Sequence, residues 1–445
     1  MIPQEYIASF AFDQRLAPYD ILGSIAHVKM LARCRILRRL DAKKIIHGLQ
    51  SIQKDLDQGW KIPWAEDIHF AIENELVKRI GETGKKMHTA RSRNDQVVLD
   101  VKLYLKDQSR LINGAIAGLQ KSLLDRAVEH KNTLMPGMTH LQHGQPIFFA
   151  HHLLAYAWMF ERDRERFKDA ARRCDSNPLG ACALAGTALP IDRAYTAKLL
   201  GFDRVTENAM DTVSDRDFMC EFNFNCALSM IHLSRLAEDL VIWSSQEFQF
   251  VRLAEEHTSG SSIMPQKRNP DTAELLRGKT GRAIGNLVQM LTLLKNLPLS
   301  YNRDLQEDKV SLFDSVDVTL ISLQLAADII NKIAVNKAKM AESCQSGFLT
   351  ATELADYLAG KGVPFRKAHS IISKMVDDVT RNSGTGGSLG SLSLTELKTY
   401  SPLFTEEAKA RLSSVQAALS KNSPGGTGKN AIARQIQALK NALKK

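Results

Sequence analysis

Residues 95–123 read DQVVLDVKLYLKDQSRLINGAIAGLQKSL. Val97, Val101, Leu105, Ile112, Ile116, Leu119 and Leu123 return at intervals of three, four or seven, the spacing that stacks side chains on one face of an α-helix. No proline interrupts the run. An average globular helix has about 11–12 residues, and this pattern is far longer. A helix of that length buries its stripe only against partners of similar length, so the stretch decides for an all-α bundle.

The flanking sequence agrees. Long helical patterns cover 147–173, 215–248, 271–294 and 310–334. Ahead of them, 19–40 and 42–58 read as helices, Gly59 to Pro63 breaks the pattern, and 67–80 forms a further helix ended by Gly81. Beyond about residue 340 the segments shorten to 352–358 and 365–381, split by Gly360 to Pro364. A Gly/Ser-rich connection at 383–390 leads to a last helix with Ile432, Ile436, Leu439 and Leu443 on one face. The expected organisation is a small N-terminal helical domain (1–90), an elongated central bundle (91–340) carrying a polar loop at 258–271, and a small C-terminal helical domain (341–445).

A hydrophobic fraction of 44% with 24% charged residues suits a soluble globular protein. No run of eighteen purely apolar residues proposes a membrane span, and no basic-then-apolar start proposes a secretory signal. Six cysteines lie at irregular spacings without a C-x-x-C pair, which predicts neither a disulfide framework nor a zinc site and points to the cytoplasm. The net charge of +10 comes from scattered Lys and Arg, densest at Arg33, Arg35, Arg38 and Arg39, where a solvated helix face explains them without nucleic acid. A basic excess also suits small anionic substrates.

Five polar clusters interrupt the apolar patterns. GSSIMPQKRNPD (260–271) joins a mobile glycine, the Ser261 and Ser262 hydroxyls, Lys267 and Asn269, and then feeds a helix carrying Glu274 in its first turn. An ordinary surface loop would have the same composition. HTARSRNDQ (88–96) sets Ser92 and Asp95 like a capping box, while Arg91, Arg93 and Asn94 crowd a helix N-terminus suited to an anion. MPGMTHLQHGQP (135–146) places Thr139, His140, Gln142, His143 and Gln145 between two prolines, with no carboxylate or cysteine to complete a metal site. YNRDLQEDK (301–309) is dense in charge, and EDIH (66–69) begins a helix, where capping explains its acids as well as function does. No P-loop, G-x-G-x-x-G, nucleophile elbow or H-E-x-x-H is present, so the polar set is acid–base and anion-binding.

Together these clusters resemble the fumarase/aspartase superfamily of lyases, whose signature loop has the pattern Gly-Ser-Ser-x-x-Pro-x-Lys-x-Asn. Within it the chain is similar to the argininosuccinate lyases, the family that includes the delta-crystallins. The blocks HTARSRNDQ, MPGMTHLQHGQP, LGACALAGTALPIDR, VSDRDF, YNRDLQEDK, FLTATELADYLAGKGVPFRKAH and NSPGGT carry the likeness, in order, along nearly the whole chain. The resemblance implies an all-α homotetramer with a twenty-helix core and active sites built from three subunits. It implies reversible cleavage of argininosuccinate to arginine and fumarate, without metal or organic cofactor, nucleic acid or membrane.

It further implies Ser261 as base, His140 as the other proton-transfer group with Glu274 orienting it, and Lys267 and Asn269 as ligands of the carboxylate that takes up carbanion charge. Ser92, Arg93, Asn94 and Thr139 would contact the substrate's carboxylates and backbone. Tyr301, Gln306 and Lys309 would lie at its other end, Ser9 and Asp13 at the amino-acid portion, and Asp67 and His69 nearby. Ala90 departs from a usual glycine, Met138 from an aromatic, His143-Gly144 from Arg-Ala, and Arg268 and Arg303 from lysines. Two other readings remain open: a lyase of the superfamily acting on another succinyl adduct or on aspartate, and an inactive structural homologue of the crystallin kind.

Overall fold

The computed structural model describes residues 3–345, 347–383 and 387–444; residues 384–386 of the Gly/Ser-rich connection lie outside them. Five helices dominate: Arg93–Glu129, Phe149–Cys174, Asp217–Ser244, Asp271–Leu294 and Asp308–Lys332. The first has 37 residues and, at ~1.5 Å per residue, runs about 55 Å. All seven stripe residues, from Val97 to Leu123, are buried.

This helix begins where the capping pattern places it. Ser92 Oγ accepts from Asn94 N at 3.3 Å, and Asp95 Oδ1 accepts from Ser92 N at 3.1 Å. Asp95 is fully buried, and its Oδ2 accepts from Gly180 N at 3.0 Å and Cys182 N at 2.8 Å. One carboxylate thereby fixes both a helix start and the LGACALAG loop against it.

By compactness the residues group into two units, each drawn from three stretches of sequence. The first takes Met1–Gly114, Asp163–Met230 and Lys279–Ile321; the second takes Ala115–Arg162, Ile231–Gly278 and Ser322–Lys445. Every boundary falls inside one of the five long helices. The first unit holds a core of Ala26, Leu99, Leu103, Leu179, Ala197, Leu200 and Phe202, with Tyr104 edge-on to Tyr19 and Phe313. In the second, the segments after residue 348 surround Leu354, Tyr357, Leu358, Met375, Leu397 and Phe404.

The short helices differ from expectation at one point. The pattern over 19–40 is two elements: Ala17–Arg33 ends, and Arg39–Asp57 begins. Arg35 turns left-handed at φ 60, and the Ile36 N–H closes back on Leu31 O at 2.9 Å. That is a helix stop in which arginine occupies a position usually given to glycine. The basic cluster Arg33–Arg39 therefore straddles a turn and does not line one helix face.

Strands occur as four short pairs among the described residues. The largest, Leu134–Thr139 against Gln142–Phe148, is an antiparallel hairpin with Pro136 opposite Pro146. The Arg303–Lys332 stretch is long and apolar enough to cross a membrane, yet 56% of its most apolar window is buried within the protein. A core helix has these properties.

Candidate active site

In the first unit, segments distant in sequence line one cavity of about 350 Å³. Ser9, Asp13, Asp67, His69, Arg93, Asn94, Tyr301, Gln306 and Lys309 all face it. Ser92 lies beside them in sequence, with its hydroxyl engaged at the helix start. Glu66, Phe70, Val97 and Arg303 complete the lining. Of these, Arg303 and Glu66 carried a sequence signal. Phe70 and Val97 had none that separated them from core residues.

The lining is cross-braced. Ser9 Oγ donates to Asp13 Oδ2 at 2.6 Å, and Asp13 Oδ1 accepts from Ile68 N at 3.2 Å. Burial pushes the Asp13 carboxyl upward, while the nearby His69 opposes the shift. Asp67 serves twice: Oδ1 caps the Ile68–Ile80 helix at Phe70 N (2.6 Å), and Oδ2 pairs with Arg93 Nε (2.8 Å). The capping and binding readings of that residue are therefore compatible. Arg303 pairs with Glu66 at 2.8 Å, and Gln306 Nε2 donates to Ile7 O at 3.0 Å, which ties the N-terminal segment to the pocket.

Two ion groups lie under the lining. Asp308, fully buried, receives Arg216 Nε at 2.5 Å and Lys309 Nζ at 2.7 Å. Burial alone would raise its carboxyl; Lys309 and Arg216 outweigh burial and hold it below the ordinary range. His69 Nδ1 lies 3.2 Å from Asp20 Oδ1 and 3.0 Å from Asp100 Oδ2. Burial would drive this imidazole down, yet the hydrogen-bonded carboxylates of Asp100 and Asp20 lift it to about 10. Asp20 and Asp100 were not foreseen as part of the site. The available signal was an aspartate within the apolar run Val97 to Val101.

The second unit carries Ser261, Lys267, Asn269, Glu274, Thr139 and His140. The loop around Ser261 is pinned at its base by antiparallel pairing of Ser259 with Asn269 and of Gly260 with Arg268. Arg268 also pairs with Glu255 at 2.7 Å. Inside the loop, Ser261 Oγ accepts from Met264 N at 3.0 Å and Ile263 N at 3.3 Å. Two backbone dipoles therefore converge on that oxygen. Lys267, Asn269 and Glu274 line a neighbouring cavity of about 810 Å³ with Ser244, Gln246 and Glu247.

His140 sits at the hairpin tip. It and Leu141 have φ of 54° and 56°, the two central positions of a two-residue turn between Thr139 and Gln142. Asn-Gly is the usual occupant of such a turn, because both residues must be left-handed. Holding histidine and leucine there stores backbone strain of about 1–2 kcal/mol each, a feature that clusters at functional sites. Met138 and His143 pair across the hairpin, at the bulge next to Gly137. Among the described residues, no hydrogen bond joins His140 to Glu274 or to Ser261.

Comparisons with known proteins agree with these blocks. A lyase family model matches residues 3–285, and one for the argininosuccinate lyase C-terminal region matches 348–419. The argininosuccinate lyase of Syntrophus aciditrophicus is 49% identical over 98% of this chain and 92% of its own. That of Bacillus cytotoxicus is 50% identical over 98% of this chain and 94% of its own. Among solved structures, EDDS lyase in complex with formate superposes with a TM-score of 0.86 at 27% identity, covering 97% of this chain and 87% of that one. With two family models in sequence order and half the residues shared from end to end, the chain belongs to the argininosuccinate lyase family.

Proposed function

We propose that the chain cleaves argininosuccinate reversibly to arginine and fumarate, a carbon–nitrogen lyase step of arginine biosynthesis. The observation that carries this reading is the pocket of the first unit. Four separated segments deliver there the acids, amides and cations expected to hold a substrate bearing both carboxylates and an amino-acid end.

Elimination removes a carbon-bound proton beside a carboxylate and protonates the departing guanidinium nitrogen. Ser261 is the base in this reading. A serine needs its alkoxide stabilised, and the Ile263 and Met264 N–H groups aimed at its Oγ supply that, with Lys267 nearby in sequence. Lys267 and Asn269 take the carboxylate that receives the carbanion's charge. His140 is the other proton-transfer group, Glu274 orients it, and Thr139 contacts substrate. Arg93, Asn94 and Ser92 bind substrate carboxylates, Ser9 and Asp13 the amino-acid end with Asp67 and His69 nearby, and Tyr301, Gln306 and Lys309 the remainder. The chemistry requires neither metal nor organic cofactor.

Assembly belongs to the same reading. Leu275, Ile284, Val288 and Leu291 of the Asp271–Leu294 helix are 57%, 40%, 56% and 54% exposed, an apolar cost that a homotetramer with shared active sites would remove. We also read 1–90, 91–340 and 341–445 as the functional modules of each subunit. Six free cysteines suit the cytoplasm. The cations that line the pocket favour a small anionic substrate over nucleic acid or a membrane.

The test is formation of fumarate, read in the ultraviolet, when the purified protein meets argininosuccinate. Faster turnover of adenylosuccinate, aspartate or another succinyl adduct would replace this substrate. A folded tetramer that binds argininosuccinate without turnover would identify a structural homologue.

A further inference from the structure

Two aspartates beneath the first unit's pocket, grouped with His69 of its lining, are not used by the elimination set out above. Asp20 stands on the Ala17–Arg33 helix, His69 on Ile68–Ile80 and Asp100 on Arg93–Glu129. Their side chains are 0%, 2% and 0% exposed. Two carboxylates stripped of water in one place are tolerated only where cations or donors compensate them.

Hydrogen bonds do little of that compensation. Gln96 Nε2 donates to Asp20 Oδ1, and His69 Nδ1 faces that oxygen and Asp100 Oδ2; apart from His69, Asp20 Oδ2 and both Asp100 oxygens have no hydrogen-bond partner among the described residues. Compensation must come from charge. Arg91, buried and held by Ser24 Oγ at 2.9 Å, acts on both aspartates through space. The second cation is His69, whose Nδ1 lies between the two carboxylates. Burial and the charge of Asp20 push the Asp100 carboxyl upward, and His69 and Arg91 oppose that shift; with both aspartates ionised, guanidinium and imidazolium balance them one for one. The same ring lines the pocket, so its opposite edge, carrying Nε2, is left for a ligand. The other charged groups lining that pocket are Asp13, Glu66, Asp67, Arg93, Arg303 and Lys309.

We propose that Asp20 and Asp100 are positioning residues that keep His69 a fixed cation in the pocket, where Nε2–H donates to a carboxylate of the ligand. The proposal rests on reading this pocket as the substrate's place. It adds that one of the site's positive charges is a histidine whose charge is set from below, by residues that never touch the substrate. Neutral imidazole would offer the ligand a weaker donor and leave the two aspartates short of one charge.

The full-length protein labelled at histidine Cε1 provides the test. Of the twelve histidine signals, one should keep imidazolium character above about pH 8, where ordinary histidines have lost it. In the D20N/D100N variant that signal should titrate with the others. Full deprotonation of all twelve by about pH 8 in the unmodified protein would overturn the proposal. In kinetics, D20N should raise KM for argininosuccinate about tenfold and change kcat less than about twofold, because binding is lost and not chemistry. A D20N or D100N protein that melts earlier but keeps its KM and its histidine titration would reduce the aspartates to packing. If the protein proves inert towards argininosuccinate, the histidine titration still reads out, so the two failures are distinguishable.

Discussion

Ser261 carries the sharpest consequence at the scale of single residues. If it is the base, Ser261→Ala should lower kcat about a thousandfold while binding of argininosuccinate, followed by calorimetry, changes little. Full turnover in that variant would transfer the role elsewhere. Ala90 tests a different kind of residue effect. It lies at φ 58°, where a side chain is crowded and the family's usual glycine is not. Ala90→Gly should stabilise the protein by about 1 kcal/mol, read as a raised melting temperature with unchanged activity. Residue positions were legible where composition breaks the helical period, as in the loop with Ser261, Lys267 and Asn269, which the structure closes by pairing Gly260 with Arg268. They were not legible where role depends on burial. Asp100 reads as a polar interruption of a helix, and only the fold places it beside Asp20 and His69.

Helices read well as elements because their period is local. The 95–123 stripe became the interior of Arg93–Glu129, and 271–294 became a helix with those same limits. Two element features escaped for a shared reason: both depend on left-handed residues that are not glycine. Arg35 ends a helix, and His140-Leu141 turns a hairpin, without the Gly or Asn that normally announces either. At this scale Asp95 has the most at stake, since one carboxylate accepts from Ser92, Gly180 and Cys182. Asp95→Ala strands three N–H groups, Gly180's buried and those of Ser92 and Cys182 half-buried, and should cost roughly 3 kcal/mol. Thermal melting at fixed protein concentration checks it, and a loss below about 1 kcal/mol would mean the loop relaxes to find other acceptors.

For the molecule as a whole, the His69 group makes stability depend on pH. Its folded pKa, about 10, lies above its ordinary 6.5, so its contribution is complete below about pH 6.5 and is lost as pH rises towards 10. Asp100, raised to about 7 by burial and by the charge of Asp20, also lowers stability as pH rises, but in an earlier window that ends near pH 7, so the fall above it belongs to His69. The melting temperature should therefore fall steadily between about pH 7 and 10, and less steeply in D20N/D100N. A flat profile in the unmodified protein would count against the buried charge.

The two compact units have a consequence for how the protein is made. Neither corresponds to a continuous piece of chain, because the polypeptide passes from one to the other inside each of its five long helices. A ribosome cannot release either one finished and then start the next. The first lacks its last stretch until Ile321 has emerged, by which time two of the second unit's three stretches have already been made without the third. Their apolar stripes must stay uncovered while translation continues, so the nascent chain is a natural client for chaperones. Genetic dissection meets the same obstacle: no single cut yields a unit that could stand alone.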